Sequence, residues 1–138
     1  MSISHNRALS EAFDDQAPKF EKAPVQSDPD ALKRLVRGAG FPQGSRVLDT
    51  GCGPGLVSEA LLAAGYKVVG VDLSRQMIQR AQKRCEAYGT NAEFLQISLN
   101  NPALDQMAPF DGALSRYVLH HVEDPAAFVA RQVKLVRP

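Results

Sequence analysis

The chain reads as an α/β protein, a Rossmann-like doubly wound parallel sheet with strand order 3-2-1-4. Three observations carry that reading. Short apolar runs alternate with amphipathic stretches in the order β-α-β-α-β-loop-β-α, the pattern of a parallel sheet covered on both faces. The first well-marked run, Val47-Leu48-Asp49, ends in an acid and passes directly into the glycine turn Thr50-Gly51-Cys52-Gly53-Pro54-Gly55. The next run closes on a second acid, Asp72. That acid falls about twenty residues on, where doubly wound folds grip a ribose diol. Right-handed crossovers with a switch point at strand 1 then give the strand order.

Each element has its own signal. Residues 1–26 form an N-terminal helical appendage, with Leu9, Ala12 and Phe13 at helical spacing before Pro18 and Pro24 break the pattern. The domain proper spans 27–138. Asp28-Pro29 is an N-cap followed by proline in the first turn, Leu32, Leu35 and Val36 face inward, and Gly38 suits the helix end. Arg46–Asp49 is strand 1, and a helix from Gly55 to Ala64 is closed by Gly65. Lys67–Asp72 is strand 2. Ser74 caps a longer helix to Tyr88, with Met77, Ile78, Ala81 and Cys85 on one face and Gly89 at its end. Ala92–Ile97 is strand 3, an Asn- and Pro-rich loop follows, and Phe110–Ser115 is strand 4. Asp124-Pro125 opens a last helix through Phe128, Val129 and Val133 to Val136.

Bulk properties narrow the function classes. A chain of 138 residues makes one domain with a sizeable core. Its formal net charge of +1 gives no field that would recruit nucleic acid or an anionic membrane. Lys33, Arg34 and Arg37 cluster on a helix and read as a solvated face. Cys52 and Cys85 lack metal-ligand spacing and fit a reducing compartment. With no signal-like or bilayer-length apolar run, the expected location is the cytoplasm, and no metal is expected.

The glycine turn narrows the ligand. Backbone without Cβ can take φ > 0 and approach a bound molecule closely, so the turn points to an adenosine-type cofactor. Dinucleotide domains place a third glycine three residues after the second; here Leu56 stands there. A nicotinamide-binding Rossmann domain is therefore the weaker alternative.

The segment Val47 to Gly55 resembles motif I of class I S-adenosylmethionine-dependent methyltransferases. Val71-Asp72-Leu73-Ser74, with Met77 behind it, resembles the segment that follows motif I. Phe110-Asp111-Gly112-Ala113-Leu114-Ser115 and Val118-Leu119-His120-His121-Val122 are similar to the strand 4 region of the small-molecule and quinone-biosynthesis-like branch. Phe13-Asp14 to Phe20-Glu21 is similar to that branch's N-terminal segment.

The resemblance implies S-adenosylmethionine as cofactor, S-adenosylhomocysteine as product and a small-molecule methyl acceptor. It implies that Gly51, Cys52 and Gly53 pass under the methionine and ribose, that Asp49 orients the cofactor amino group, and that Asp72 accepts the ribose hydroxyls. Leu73 and Met77 would enclose the adenine, where a flexible thioether packs well on an aromatic face. Ser98 and Leu99 would meet the adenine edge, Arg116 would line the methionine end, and Phe20 would close as a lid. Methyl transfer from a sulfonium is an in-line displacement, so positioning dominates. A general base is needed only if the acceptor must lose a proton, and His120, His121 and Tyr117 are the weak candidates.

Two departures from the family pattern stand out. Relatives in that branch carry an acid after strand 3 where this chain has Ser98, which implies somewhat weaker cofactor binding, since a neutral hydrogen bond is weaker than a charge-assisted one, or a neighbouring backbone group that supplies the contact. The family pattern also runs on into Gly-Gly and strands 5–7, beyond the position of Pro138. The expectation is a truncated domain whose strand 4 edge is covered by a second copy, by the N-terminal segment or by a swap. A cofactor-binding domain without catalysis is the corresponding alternative.

Overall fold

The computed structural model describes residues 28–115 and 123–138. The expected appendage over 1–26 with Phe20, and the segment 116–122 with Arg116, Tyr117, His120 and His121, lie outside the described residues.

The first helix, α1 (Pro29–Ala39), starts where the sequence places it. The Asp28 side chain accepts from Asp30 N at 3.0 Å and proline fills the first turn. Its end falls later than expected: Gly40, not Gly38, takes the left-handed position (φ 66°) and donates its N–H to Arg37 O. Asp28→Ala should lower stability by about 1 kcal/mol in urea denaturation; an unchanged midpoint would show that the cap contributes nothing.

Strand β1 (Arg46–Thr50) is followed by α2 (Leu56–Ala63), β2 (Lys67–Val71), α3 (Arg75–Arg84) and β3 (Ala92–Leu95). Then come a short α4 (Ala103–Met107), β4 (Gly112–Ser115) and α5 (Pro125–Leu135). The four strands lie in the order β3-β2-β1-β4, all neighbours parallel. Asp49 stands opposite Gly70 on one side and Leu114 on the other.

Consecutive residues of the central strands go to opposite layers. Val47 and Val68 enter a core cluster with Leu32, Val36, Leu61 and Ala81 of α1 to α3. Leu48 and Val69 enter a second cluster with Leu104, Phe110 and Leu135 from the α4 and α5 side. The sheet is thus covered on both faces, which is why its strands read as continuous apolar runs.

Three further boundaries and one added helix differ from expectation. Helix α3 stops at Arg84, and Glu86–Asn91 tighten into a 3-10 stretch in which Gly89 leaves helical geometry (φ 57°, ψ −130°). Strand β3 ends at Leu95, where Asp72 N donates to Leu95 O at 3.2 Å. The Asn- and Pro-rich loop contains α4, nucleated by Asn101 Oδ1 accepting from Ala103 N and anchored by fully buried Leu104. Strand β4 begins at Gly112, because Phe110 forms an isolated parallel bridge with Val136.

That bridge amends the picture of a bare strand 4 edge. Phe110 N donates to Leu135 O and Arg137 N donates to Phe110 O, both at 2.8 Å, so the last residue of α5 and those after it pair at the entry of the strand. The Arg46 guanidinium lies 4.4 Å from the Phe110 ring centroid, closing the same corner. Val129 and Val133 of α5 stay exposed nearby, at 47% and 67%.

Candidate functional site

The glycine turn and the end of β2 are joined by backbone hydrogen bonds. Gly51 N and Cys52 N both donate to Val71 O, at 2.8 and 3.0 Å. Gly53 N donates to Asp72 Oδ2 and Ser74 N to Asp72 Oδ1, each at 2.9 Å. Gly51 (φ 68°) and Gly53 (φ 56°) hold left-handed backbone that lets the chain reverse there. The two halves of the predicted site, far apart in sequence, are therefore one connected unit.

Around that unit the predicted residues fall as follows. Asp72 is buried at the C-terminal end of β2 and Leu73, half-buried, follows it. Met77 lies in the first turn of α3, where Ser74 Oγ accepts from its N–H at 3.2 Å. The Met77 side chain is buried, with Sδ 4.0 Å from where a Cβ on Gly53 would stand. Cys52 turns its side chain into the core, its Cβ 3.1 Å from where a Cβ on Gly70 would stand. Its contribution to the turn is therefore backbone. Burial, then the Asp72 and Asp49 carboxylates, push the Cys52 thiol well above its ordinary value, so it is no thiolate nucleophile.

Ser98 is half-buried and its Oγ accepts from Asn100 N at 2.9 Å, a local turn. Leu99 places its side chain in the second core cluster, leaving its backbone to face the loop. Arg131 of α5 fixes this loop: Nε donates to Leu99 O at 3.0 Å, and the guanidinium grips Asp105 in two bonds of 2.7 and 2.9 Å. Gln96 Nε2 donates to Leu73 O at 3.2 Å, tying the ends of β2 and β3 together.

Asp49, next to last in β1, has its side chain buried, only 3% exposed. Its Oδ2 accepts from Ser58 Oγ at 2.6 Å, and Ser58 is fully buried on α2. Burial pushes the Asp49 carboxyl up to about 7; the Ser58 hydrogen bond pulls it down and the Asp72 carboxylate pushes it up. The folded state thus retains a proton that the unfolded chain releases near its ordinary value of 3.8. Asp49 therefore favours folding most below about pH 4, and that contribution falls as pH rises to about 7.

Sequence reasoning missed Ser58 and Thr50, whose Oγ1 donates to Leu114 O at 2.9 Å and links β1 to β4. Ser58 did carry a signal: a serine in the stripe Val57, Ser58, Leu61, Leu62 must find a buried partner. Among the described residues no cluster of ligating side chains could hold a metal ion, and no helix is long and apolar enough to cross a membrane.

A parallel sheet in this order, with a glycine turn after β1 held to an acid after β2, defines a nucleoside-binding doubly wound domain. The methyltransferase domain family matches residues 47–138, and the chain belongs to that family. Among curated relatives, the ubiquinone biosynthesis O-methyltransferase of Methylococcus capsulatus is 37% identical over 95 residues, covering 69% of this chain and 40% of the relative. The protein of the same name from Bordetella avium is 34% identical over 122 residues, covering 88% and 51%. The chain thus spans about half the length of the curated relatives it matches.

The magnesium protoporphyrin IX methyltransferase of Synechocystis PCC 6803, solved with bound S-adenosylmethionine, superimposes with a TM-score of 0.76. Its identity is 23%, over 98% of this chain and 73% of that one. A Thiobacillus denitrificans methyltransferase in complex with S-adenosylhomocysteine gives a TM-score of 0.66 at 23% identity, over 86% of this chain and 50% of that one. At these identities the likeness is one of fold.

Proposed function

We propose that this domain binds S-adenosylmethionine and takes part in methyl transfer to a small-molecule acceptor, leaving S-adenosylhomocysteine. The observation that carries the reading is the pairing of Gly53 N with Asp72 Oδ2, which sets a Cβ-free turn against an oriented carboxylate. The residues present fit the cofactor. A carboxylate aimed by two backbone N–H groups at a strand end is the acceptor that a ribose diol requires. Gly51 and Gly53 leave the space a side chain would fill, Leu73 and Met77 supply apolar surface for the adenine, and Asp49 supplies negative charge for the amino group.

When bound, the sulfonium supplies the activated methyl group. The chain's own residues bind and orient: Asp72 fixes the ribose, the turn fixes the methionine arm, and the loop from Ser98 to Asn101, held by Arg131, meets the adenine edge. Phe20 and Arg116 complete the set as lid and methionine-end residues, and His120, His121 or Tyr117 would serve an acceptor that must shed a proton. Family membership, the names of the quinone-pathway relatives and the cofactors bound in the solved neighbours support this reading. A cytoplasmic location, and pairing of the β4 edge with a second copy, belong to the same proposal.

The test is calorimetry of the 138-residue chain. Saturable binding of S-adenosylhomocysteine with none of NAD(H) is expected; the reverse would sink the reading in favour of a nicotinamide domain. Because the chain matches about half of its relatives' length, binding without turnover on a panel of small-molecule acceptors would make it the cofactor-holding part of the enzyme.

A further inference from the structure

The strands and the glycine turn bring two buried carboxylates to one corner of the domain. Asp49 (3% exposed) is next to last in β1 and Asp72 (6% exposed) directly follows β2. Among the described residues, none brings a compensating cation to Asp49. From α2 comes the Ser58 hydroxyl, from the turn the Cys52 thiol, and from the end of α3 the Cys85 thiol, whose own value burial raises to about 12. Strand β4 contributes apolar Leu114 opposite Asp49. Among the described residues, Asp49 forms no ion pair, and its hydrogen-bond donor is Ser58. Arg84 of α3 is engaged by Pro54 O at 3.1 Å and by Glu59 at 3.7 Å.

A buried carboxylate with one hydroxyl donor and a like charge near it is costly to ionise until a cation arrives. Ser58 is the group that lowers that cost. Its hydroxyl is held rigidly, fully buried on α2, 2.6 Å from Asp49 Oδ2, so it stabilises the charged form and fixes which way the second oxygen faces.

We propose that Ser58 is a positioning residue for the cofactor, which holds Asp49 so that binding of the ligand's ammonium group is coupled to release of a proton from Asp49. The inference rests on the reading of the turn as an S-adenosylmethionine site. It adds a residue and a linkage to that site: the free protein carries a shared population of neutral and charged Asp49 around neutral pH, and the bound protein carries the charged form. Ligand affinity then rises with pH until Asp49 is ionised without help, and levels off above that point.

Calorimetry with S-adenosylhomocysteine between pH 6 and pH 8, repeated in two buffers of different ionisation enthalpy, tests this. The wild-type chain should bind about tenfold more tightly at pH 8 than at pH 6 and release a fraction of a proton at pH 7. Ser58→Ala should move the inflection upward by about one pH unit or more and release close to a whole proton at pH 7. Ser58→Thr keeps the hydroxyl and should restore the wild-type profile. A Ser58→Ala profile that is weaker by the same factor at every pH would show a merely structural role and overturn the proposal. So would wild-type binding that does not change with pH. If Ser58→Ala fails to fold, proton release by the wild type and by Ser58→Thr decides: binding with no proton released overturns the linkage. Absence of S-adenosylhomocysteine binding by the wild type at any pH would overturn the cofactor reading itself, a different result from a flat profile.

Discussion

Replacing Asp72 with alanine is expected to weaken S-adenosylhomocysteine binding by about a hundredfold or more. Two hydrogen bonds from ribose hydroxyls to a carboxylate, each of the charged kind, are together worth about 3 kcal/mol or more, and a hundredfold is about 2.7 kcal/mol. The substitution also removes the acceptor for Gly53 N and Ser74 N, which hold the glycine turn against the start of α3. Stability should therefore fall as well, by about 1–3 kcal/mol, and calorimetry read beside urea denaturation separates the two effects. Asp72→Asn keeps one acceptor oxygen and should land between wild type and Asp72→Ala in both. A folded Asp72→Ala protein that binds like the wild type would place the ribose elsewhere.

The second large effect belongs to Gly55. Its φ of 90° lies in the left-handed region, and a Cβ there would stand 3.0 Å from Ala81 Cα and 3.1 Å from Ala81 Cβ. Alanine would incur about 1–2 kcal/mol for the backbone and about 1–3 kcal/mol for the overlap. Gly55→Ala should thus cost about 2–5 kcal/mol of stability. The overlap is with backbone, so α3 as a whole must shift, and α3 carries Met77 against Gly53; binding should weaken along with stability. Gly38 gives the contrast: it sits within α1 with nothing near its added Cβ, so Gly38→Ala should be neutral or stabilising by up to about 1 kcal/mol. A Gly55→Ala melting temperature equal to wild type would mean that α2 and α3 do not pack through this glycine.

Much of this was readable in the chain because the signals are local or periodic. The acid-then-glycine turn, the second acid at the end of the next run and the Asp-Pro caps specify backbone geometry within a few residues. They placed β1, β2, α1 and α5 within a residue or two. What escaped depends on partners far along the chain. Helix α4 exists because Leu104 finds a buried place beside Leu48 and Phe110, which composition between Asn100 and Pro109 does not reveal. The Leu99 side chain joins the same cluster, which leaves its backbone for the adenine edge that the resemblance implies. The early end of β3 follows from how far β2 runs beside it. Ser58 was passed over because its importance lies in Asp49, on another element.

Arg131 gives the loop after β3 a dependence that its own sequence would not impose. The loop from Ser98 to Asn101 is short of backbone ladders, yet its carbonyls at Leu99 and Asn101 are held by a side chain rooted in α5. Segments that share such bonds open together in cooperative units. The loop therefore takes its opening free energy from the last helix and not from its own turn, so its amide protons should exchange in step with those of α5. Loosening of α5 reaches the loop after β3 through the Arg131 guanidinium, without any movement of the glycine turn.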